Sequence, residues 1–570
     1  MFNNPEITQL PLSVGMFRKQ AEQFLASAGL RLDPVDYYAV ARQDDGRIVA
    51  GGGLEGGLIK CVAVADDMRG TGLMQSVISH LISVAQTQGH KNIKVFTKPD
   101  NRAIFEALGF RTLAQAEKAI FMENGVRGLN DYLDYLRALA KPGDNGLIVM
   151  NANPFTKGHR ALVEYAAGKV DTLYVIAVKE DRSAFTSSER FNMIAEGCAD
   201  IPNVIVAEGS DYAISAATFP TYFLKQISDA TDTQIDLDLD LCRNRLMPAL
   251  NARVRFVGSE PDDPLTARYV EKMRSLMPCD VLERIAIDGR RVSASTVRQL
   301  INDGNFEAAQ QLVPSSTIPY LIAHLAARAL TIELDTTPKP GLVDRNDTGA
   351  HSDMDHELMR KSIHTLTPHF ARLARLGMNP VADLAKNVIE IGLEAEADMM
   401  RVTGNVNTHK GALFSLGLVA VAAGKSLGNL TPDALQATVR TIASGIPGAH
   451  DTHGTKAVAA GAKGALANAE EGYADLFADW LPYFRSLDGD PYRCHKTLLR
   501  IMATIDDTNI IFRKGTDTAR QVKLDAAAML SRFDPAQLSQ MNLRYNKENI
   551  SPGGAADMLS LTILVDSLLS

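Results

Sequence analysis

Residues 147–159 read LIVMNANPFTKGH, a short apolar strand followed by a polar loop and the start of a helix. The free N–H groups at a helix start bind anions, and the helix dipole strengthens this attraction. Gly158 lets the backbone come close to a phosphate. Lys157 adds a cation, and His159 can donate to an α-phosphate where charge grows during attack. These features predict the phosphate-binding turn of a nucleotide site.

Further apolar strands follow this turn along the chain. They are predicted at residues 173–178, 204–206 and 254–257, with helical segments between them. Strands that alternate with helices favour a parallel, doubly wound α/β sheet of Rossmann-like type. We therefore assign residues 126–317 to one nucleotide-binding domain.

A second phosphate signal is VSASTVR at residues 292–298. Hydroxyl groups followed by Arg298 at a helix start suit the β- and γ-phosphates, because a guanidinium makes paired hydrogen bonds to phosphate oxygens. Ser293, Ser295 and Thr296 are also ordinary helix-capping residues. Two such motifs in a strand–helix context favour the phosphate site over a plain cap.

Two other regions flank this domain. Residues 1–125 are predicted to form a small α/β domain, in which the turn RGTG at 69–72 leads into an amphipathic helix. Residues 318–570 are rich in Ala and Leu with helical spacing and have almost no strand pattern, so we expect an all-α domain. Its clearest predicted helices lie at 358–376, 381–400, 411–423 and 434–444.

Polar clusters interrupt the apolar helices of the C-terminal region. They are Glu333 with TPKPGLVDR at 337–345, GAHSDM at 349–354, GNVNTHKG at 404–411, DDTN at 506–509 with Arg513, and NISPGGAADM at 549–558. Hard carboxylate oxygens with a few cations are what a magnesium–triphosphate needs. Each cluster alone could be a solvated loop or a helix cap. All of them on one mostly apolar helical domain favour a binding site.

Composition and charge exclude several classes of protein. The 570 residues carry a net charge of −8, whereas a nucleic-acid partner needs a broad basic surface. No apolar run is long enough for a membrane span, and the first residues do not form a signal peptide. The five cysteines are widely spaced, which favours a reducing, cytoplasmic location over a disulfide frame or a zinc site.

The first 320 residues resemble the [citrate (pro-3S)-lyase] ligase family within the HxGH nucleotidyltransferases. The resemblance rests on ERF at 189–191, YAISAATFPTYFLK at 212–225 and RFVGSEP at 255–261, together with Thr156 at the first histidine of the HxGH signature. It implies that ATP activates acetate as acetyl-adenylate, and that the acetyl group passes to the prosthetic-arm thiol on the citrate lyase acyl carrier subunit.

The same resemblance implies a set of site residues. His159, Lys157 and Arg298 would be catalytic. The nucleotide would contact Asn153, Phe155, Thr156, Gly158, Gly258, Glu260, Ser293, Ser295 and Thr296.

The N-terminal region resembles the GNAT acetyltransferases in RGTGLM at 69–74 and NRAIF at 101–105. The resemblance implies that Arg69, Gly70, Gly72 and Asn101 grip the CoA-like arm. Met74 and Phe105 depart from the GNAT pattern, because Phe105 lacks the hydroxyl with which a Tyr would protonate a leaving thiol. We therefore expect binding of the arm here rather than acetyl transfer.

Residues 320–570 resemble the triphosphoribosyl-dephospho-CoA synthases in PKPGLVD, NTHKG and SPGGAAD. In that family the 2′-hydroxyl of 3′-dephospho-CoA attacks C1 of the ATP ribose and adenine leaves. The resemblance implies Glu333, Asp344 and Asp353 as magnesium or base carboxylates, without deciding which is the base. It also implies Lys339, Lys410 and Arg513 on phosphates, and His409 as a donor.

The sequence thus predicts a cytoplasmic, bifunctional maturation enzyme of the citrate lyase system. It would use ATP, with magnesium, and have the acyl carrier subunit, acetate and 3′-dephospho-CoA as partners, without nucleic acid or membrane. Two alternatives stay open at this point. One is an adenylyltransferase of coenzyme A synthesis that acts on pantetheine phosphate, and the other is a chain with one half a non-catalytic CoA-binding module.

Overall fold

The computed structural model divides the chain into two compact units. The first comprises Met1–Ala152 and Gly158–Ala286, and the second Asn153–Lys157 and Ile287–Ser570. The structure describes residues 5–179, 183–214, 219–220, 227–259, 264–283, 286–287, 290–447 and 463–570.

A seven-stranded sheet occupies the N-terminal part of the first unit. Its strands are β1 (Ile7–Gln9), β2 (Tyr37–Arg42), β3 (Ile48–Glu55), β4 (Leu58–Val64), β5 (Ile93–Thr97), β6 (Arg111–Gln115) and β7 (Ile120–Asn124). They lie in the order β1-β2-β3-β4-β5-β7-β6, and β4 and β5 pair in parallel while the other neighbours are antiparallel. The accompanying helices are Gly15–Ser27, Leu73–Thr87, Arg102–Ala107 and Leu129–Leu139.

The predicted helix after the RGTG turn is confirmed as Leu73–Thr87. It buries Leu73, Val77, Ile78, Leu81 and Ala85, whose spacing places them on one face of a helix. That face packs closely on β3, because a side chain at Gly52 would meet Leu81 at 2.9 Å and Val77 at 3.0 Å. The glycine run of β3 therefore lets the helix approach the sheet.

A five-stranded parallel sheet forms the rest of the first unit, as the alternation of strands and helices predicts. Its strands are β8 (Asn145–Met150), β9 (Thr172–Ala177), β10 (Val204–Glu208), β11 (Ala252–Gly258) and β12 (Cys279–Leu282), in the order β10-β9-β8-β11-β12. Its helices are Lys157–Ala167, Ser187–Gly197, Ile227–Leu241, Met247–Ala249 and Pro264–Leu276. A short pair of strands, Ala286–Ile287 and Arg290–Arg291, follows.

The two sheets of the first unit share one hydrophobic core. It includes Phe96 and Phe121 of the seven-stranded sheet, whose rings stack at 4.3 Å, and Leu147 and Tyr174 of the five-stranded sheet. The buried carboxylate of Glu123 also accepts a hydrogen bond of 2.7 Å from the hydroxyl of Tyr212. Apolar packing and a buried hydrogen bond therefore join the two sheets.

The second unit is helical over its described residues from 292 onwards. Its helices are Ala294–Asn302, Phe306–Gln310, Ile318–Asp335, His356–Met378, Leu384–Val402, Lys410–Lys425, Pro432–Ala443, Ala465–Glu470, Leu481–Ser486, Arg493–Thr504, Thr508–Lys514, Thr516–Ser531, Pro535–Glu548 and Gly553–Leu568. Among the described residues, none of the helices is both long and apolar enough to cross a membrane.

Two helices form the centre of the second unit. Lys410–Lys425 and Gly553–Leu568 are buried on nearly all sides, which is why both are apolar around their whole circumference. Glycine permits the closest contact of the first with its neighbour, since a side chain at Gly424 would collide with the backbone of Ala374 in His356–Met378. These two helices are therefore core elements of the second unit.

Candidate active sites

The loop that follows β8 is anchored in the first unit by Arg190, which is fully buried. Its Nη1 donates to the carbonyl oxygen of Asn151 at 2.9 Å and to that of Val178, at the end of β9, at 2.7 Å. Arg190 thus fixes the beginning of the predicted phosphate-binding turn against the next strand. In the sequence, Arg190 stands out only as part of the ERF string at 189–191.

Within the second unit, three contacts hold the segment Asn153–Lys157. Arg298 donates from Nη1 to the carbonyl oxygen of Asn153, and Thr317 donates to that of Phe155 at 2.8 Å. The backbone N–H of Lys157 donates to the carbonyl of Leu312 at 3.0 Å. The two predicted phosphate motifs are therefore in direct contact through Arg298 and Asn153. Phe155 and Thr156 are buried, and His159 is half-buried on the helix Lys157–Ala167.

The hydroxyl groups of the second motif cap the helix Ala294–Asn302. Ser293 Oγ accepts from the backbone N–H of Thr296 at 3.0 Å and lies 2.9 Å from Ser295 Oγ. The capping function is thus observed, and phosphate binding by these residues stays a prediction. Gly258 is the last residue of β11, and a Cβ added there would have nothing within 4 Å. Glu260 lies outside the described residues.

The predicted arm-binding turn of the first unit has the backbone that its glycines allow. Gly70 and Gly72 have φ of +79° and +85°, which other residues rarely adopt. Arg69 is exposed and pairs with Asp66 at 2.6 Å, and Asn101 donates to Thr97 Oγ1 at 2.9 Å. Arg69 is therefore at the surface, where a ligand can reach it.

A buried ion pair lies at the centre of the second unit. Lys339 Nζ is 2.5 Å from Glu333 Oε1, and the two residues are 1% and 4% exposed. Asp344 is equally buried and accepts the backbone N–H of Lys339 at 3.0 Å on Oδ2 and that of Asn346 at 2.7 Å on Oδ1. Three of the predicted residues thus come together around the PKPG loop.

His409 is buried beside this centre. Its Nδ1 lies 2.8 Å from the hydroxyl of Ser362, which also accepts a hydrogen bond of 2.7 Å from Thr408. Its Nε2 is buried and has no partner among the described residues. Burial, and secondarily the charge of Lys339, lowers the pKa of His409 to about 3, so the imidazole is neutral near pH 7. One ring nitrogen is therefore anchored, and the other has no hydrogen-bond partner among the described residues.

Two further buried carboxylates, Asp507 and Asp557, belong to the centre and were not among the predicted site residues. Burial raises the pKa of Asp507 to about 6, against the effect of backbone N–H groups that donate to it. Burial raises the pKa of Asp557 well above its ordinary value, and the charges of Glu333 and Asp507 add to the effect. A Cβ at position 411 would lie 2.1 Å from Oδ2 of Asp557, so a larger residue there would displace this carboxylate. Both acids stand in quoted motifs, and their burial distinguishes them from the other acidic residues.

The remaining predicted residues are more exposed. Lys410 pairs with Glu396 at 2.6 Å with half of its side chain exposed. Asp353 is 60% exposed and lies 3.8 Å from His351, and Arg513 is also exposed. Burial lowers the pKa of His351, with a further contribution from the charge of Arg513. The structure therefore does not gather Asp353, Lys410 and Arg513 at the buried ion pair.

The carboxylates predicted to bind metal do not form one oxygen cluster. Glu333 faces Lys339, Asp344 is occupied by backbone N–H groups, and Asp353 is at the surface. Among the described ranges, no group of three or more His, Cys, Asp or Glu residues is arranged to hold a metal ion. A role for magnesium stays a prediction.

Comparison with known proteins relates the two halves of the chain to two enzyme families. Residues 145–321 match the model of the citrate lyase ligase C-terminal domain, and residues 319–570 match that of ATP:dephospho-CoA triphosphoribosyl transferase. The ligase of Klebsiella pneumoniae, named [Citrate [pro-3S]-lyase] ligase, is 40% identical over 54% of this chain and 92% of its own length. The ligase of Escherichia coli is 37% identical over 56% of this chain and 95% of its own length.

A relative of the C-terminal half comes from Stutzerimonas stutzeri and is named "Probable 2-(5''-triphosphoribosyl)-3'-dephosphocoenzyme-A synthase". It is 35% identical over 43% of this chain and 91% of its own length. These relatives do not favour an adenylyltransferase of coenzyme A synthesis. The chain belongs to the citrate lyase ligase family in its N-terminal half and to the triphosphoribosyl-dephospho-CoA synthase family in its C-terminal half.

Proposed function

We propose that this chain catalyses two reactions of ATP that serve one prosthetic group. The C-terminal half makes the precursor of the group, and the N-terminal half acetylates its thiol on the acyl carrier subunit of citrate lyase. The observation that carries the proposal is the buried polar centre of the second unit, in which Glu333, Lys339 and His409 lie within an otherwise apolar helical core. Burying such groups costs free energy, so they are retained where they are paired or take part in function.

In the first reaction, a carboxylate oxygen of acetate attacks the α-phosphorus of ATP. The bond from that phosphorus to the bridging oxygen breaks, pyrophosphate leaves, and acetyl-adenylate forms. The thiol of the prosthetic arm then attacks the acetyl carbon, and AMP leaves with the bonding electron pair. We assign His159, Lys157 and Arg298 to the phosphates, where positive charge stabilises the charge that develops. The contact of Arg298 with Asn153 supports this assignment.

We assign the nucleotide contacts of this reaction to the residues around the two phosphate motifs. They are Asn153, Phe155, Thr156, Gly158, Gly258, Glu260, Ser293, Ser295 and Thr296. The prosthetic arm is assigned to the GNAT-like region of residues 1–125, through Arg69, Gly70, Gly72 and Asn101. The exposure of Arg69 supports this role, because a pyrophosphate group needs an accessible cation.

In the second reaction, the 2′-hydroxyl of 3′-dephospho-CoA attacks C1 of the ATP ribose. The bond from C1 to adenine breaks, adenine leaves, and the triphosphate stays on the sugar. A donor must reach the departing base while a carboxylate accepts the hydroxyl proton. His409 is suited to donate, because Ser362 fixes its Nδ1 and its Nε2 has no partner among the described residues. Glu333 and Asp344 are the candidates for the base.

The triphosphate of this second ATP calls for cations. We assign it to Lys339, Lys410 and Arg513, with magnesium entering as part of the ATP complex. We assign magnesium to the ATP complex because Glu333, Asp344 and Asp353 lie too far apart to hold a resident ion together. We further propose domain boundaries at 125 and 317, and a cytoplasmic location in which the thiol of the arm stays reduced.

Isotope exchange between pyrophosphate and ATP tests the ligase assignment. The full chain is expected to catalyse this exchange with acetate, and not with phosphopantetheine in its place. Exchange that depends on phosphopantetheine would instead support an adenylyltransferase. His159→Ala should abolish the acetate-dependent exchange, and an unchanged rate would remove His159 from the proposed site.

A further inference from the structure

A cavity of about 40 Å³ lies in the first unit, on one face of the five-stranded sheet. Its walls come from the sheet and from the helices Leu129–Leu139 and Ile227–Leu241. One buried water needs about 10–15 Å³ of such space. The cavity therefore has room for about three waters, or for one organic molecule of a few non-hydrogen atoms.

The side chain of Arg255 belongs to the wall of this cavity. Arg255 is 5% exposed, and neither its Nε nor its Nη1 has a hydrogen-bond partner among the described residues. It lies over the ring of Tyr269 at 5.4 Å, and the polar groups around it are Cys242, Tyr269 and Asp238. A buried cation with unused donors is costly unless an anion or water completes it.

The acid nearest to this guanidinium has another hydrogen-bond partner. Asp238 also lines the cavity, and its Oδ2 accepts a hydrogen bond of 2.6 Å from the hydroxyl of Tyr269. It makes no hydrogen bond to Nε or Nη1 of Arg255. Nε and Nη1 of Arg255 are therefore buried donors without an acceptor among the described residues, and the presence of Asp238 disfavours a ligand with several negative charges.

The rest of the wall suits an apolar group. Val149, Ile176 and Leu246 line the cavity beside Arg255. A ligand that fits both parts has one carboxylate for the guanidinium and a short alkyl group for the apolar wall. The small volume of the cavity limits the length of this alkyl group.

The cavity also lies at the functional end of the sheet. Val178 follows β9, and Gly209 and Ser210 follow β10, so the cavity-lining loops leave the carboxyl edge of the sheet. The loop that begins at Asn151 leaves the same edge after β8. Ligands of open parallel sheets bind at this edge.

We propose that this cavity is the pocket for the acid substrate of the ligase reaction. Arg255 binds the carboxylate of acetate there, and the cavity volume excludes acids with longer chains. The proposal rests on the proposed function for the identity of the acid, and on Arg255 and the cavity for its location.

Binding of acetate to the full chain tests the location without turnover. Titration calorimetry with acetate, with and without α,β-methylene-ATP, is expected to give a Kd at least tenfold higher for Arg255→Met than for the unmodified chain. Arg253→Met is the matched control, because Arg253 is an exposed arginine on the same strand, and it should leave the Kd unchanged. Equal affinity for acetate in Arg255→Met, or no acetate binding by the unmodified chain because water alone fills the cavity, would overturn the proposal.

A second variant keeps the test decisive if Arg255→Met does not fold. Leu246→Ala enlarges the cavity, so kcat/KM for propionate and butyrate should rise at least fivefold relative to acetate in the exchange reaction. An unchanged ratio would overturn the proposal. Loss of acetate-dependent exchange in the unmodified chain would instead overturn the proposed function, which separates the two failures.

Discussion

The ammonium nitrogen of Lys339 lies 2.5 Å from Oε1 of Glu333, and both side chains are almost completely removed from solvent. Burial raises the pKa of Glu333, while the charge and hydrogen bond of Lys339 lower it in opposition. The pair thereby holds the first residues of the PKPG loop against the helix Ile318–Asp335, which contains Glu333. The position of the PKPG loop therefore depends on the charges of Glu333 and Lys339.

Removal of one member of this pair should destabilise the second unit strongly. Lys339→Met leaves Glu333 buried without its partner, and breaking a buried pair in this way costs about 3–5 kcal/mol. The double variant Glu333→Gln/Lys339→Met should be more stable than Lys339→Met alone. Trp480, the one tryptophan of the chain, is buried in this unit and reports its urea unfolding by fluorescence.

An exposed pair provides the control for this experiment. Arg345 and Asp335 pair at 2.5 Å with the arginine 62% exposed, so Arg345→Met should cost less than about 1 kcal/mol. If Lys339→Met destabilises no more than Arg345→Met, the buried pair does not stabilise the fold in the way described here.

Stability of the second unit should depend on Asp507 at acidic pH. Its pKa in the folded chain is raised to about 6, above the ordinary 3.8 that it regains on unfolding. Between these values the unfolded carboxyl loses its proton while the folded one keeps it, so a rise in pH favours unfolding. The two pKa values correspond to a loss of about 3 kcal/mol over the whole titration, of which about 2.4 kcal/mol falls between pH 4 and pH 7, with little change above pH 7.

The measurement compares urea unfolding of the unmodified chain and Asp507→Asn over this pH range. The stability of the unmodified chain relative to the variant should fall as the pH rises. Asp517→Asn, at an exposed residue, should show no such trend. If the difference in the free energy of unfolding between the unmodified chain and Asp507→Asn stays constant with pH, the raised pKa of Asp507 is contradicted.

His409 should be essential for adenine release and should not titrate near pH 6.5. Since its pKa is lowered to about 3, the imidazole stays neutral from pH 5 to pH 8, and the rate should show no histidine step in that range. His409→Gln should lower kcat for adenine release by about 10²–10³, the usual effect of losing a hydrogen-bond donor to a group on which negative charge develops. His364→Gln, at an exposed histidine on the same helix as Ser362, should be unaffected. A step near pH 6.5 that disappears in His409→Gln would show that the histidine is charged.

Arg298 should matter for the ligase reaction alone. Arg298→Met removes a cation from the phosphates and the contact to Asn153, so acetate-dependent pyrophosphate release should fall by about 10²–10³. Adenine release should be unchanged. Gln299→Ala, at the exposed neighbour that pairs with Asp303, is the control. Equal losses in both reactions would indicate a general structural effect of Arg298.

The sequence allowed the parallel sheet to be predicted because its strands are short apolar runs between helical segments. The stretch at 147–159 has the predicted strand, loop and helix as β8, Asn151–Thr156 and Lys157–Ala167. The strands β1, β2, β6, β7 and β12 were not predicted. Short strands such as RTLAQ in β6 have too few alternating positions to be distinguished from loops.

The candidate site could be predicted only in part. Motifs identified Glu333, Asp344 and His409, which are buried, and also Asp353 and Lys410, which are more exposed. Spacing along the chain does not show which of two adjacent residues faces the interior. His409 and Lys410 illustrate this, since one is buried and the next pairs with Glu396 at the surface.

Tertiary packing buries the other functional candidates, which the motifs alone did not identify. Asp557 approaches the centre because the buried helix Gly553–Leu568 lies beside Lys410–Lys425, where Gly411 leaves room for its carboxylate. Arg190 and Arg255 are buried through the packing of strand ends and helices, and no local pattern distinguishes them from surface arginines.

Product analysis tests most directly whether the two halves cleave ATP at different bonds. The full chain is incubated with ATP, acetate and the thiol form of the acyl carrier subunit, and separately with ATP and 3′-dephospho-CoA, and the products are separated by chromatography. We predict AMP and pyrophosphate in the first reaction and free adenine in the second, with Arg298→Met losing only the first and Glu333→Gln only the second. The same nucleotide product from both incubations, or no adenine from the second, would contradict the account.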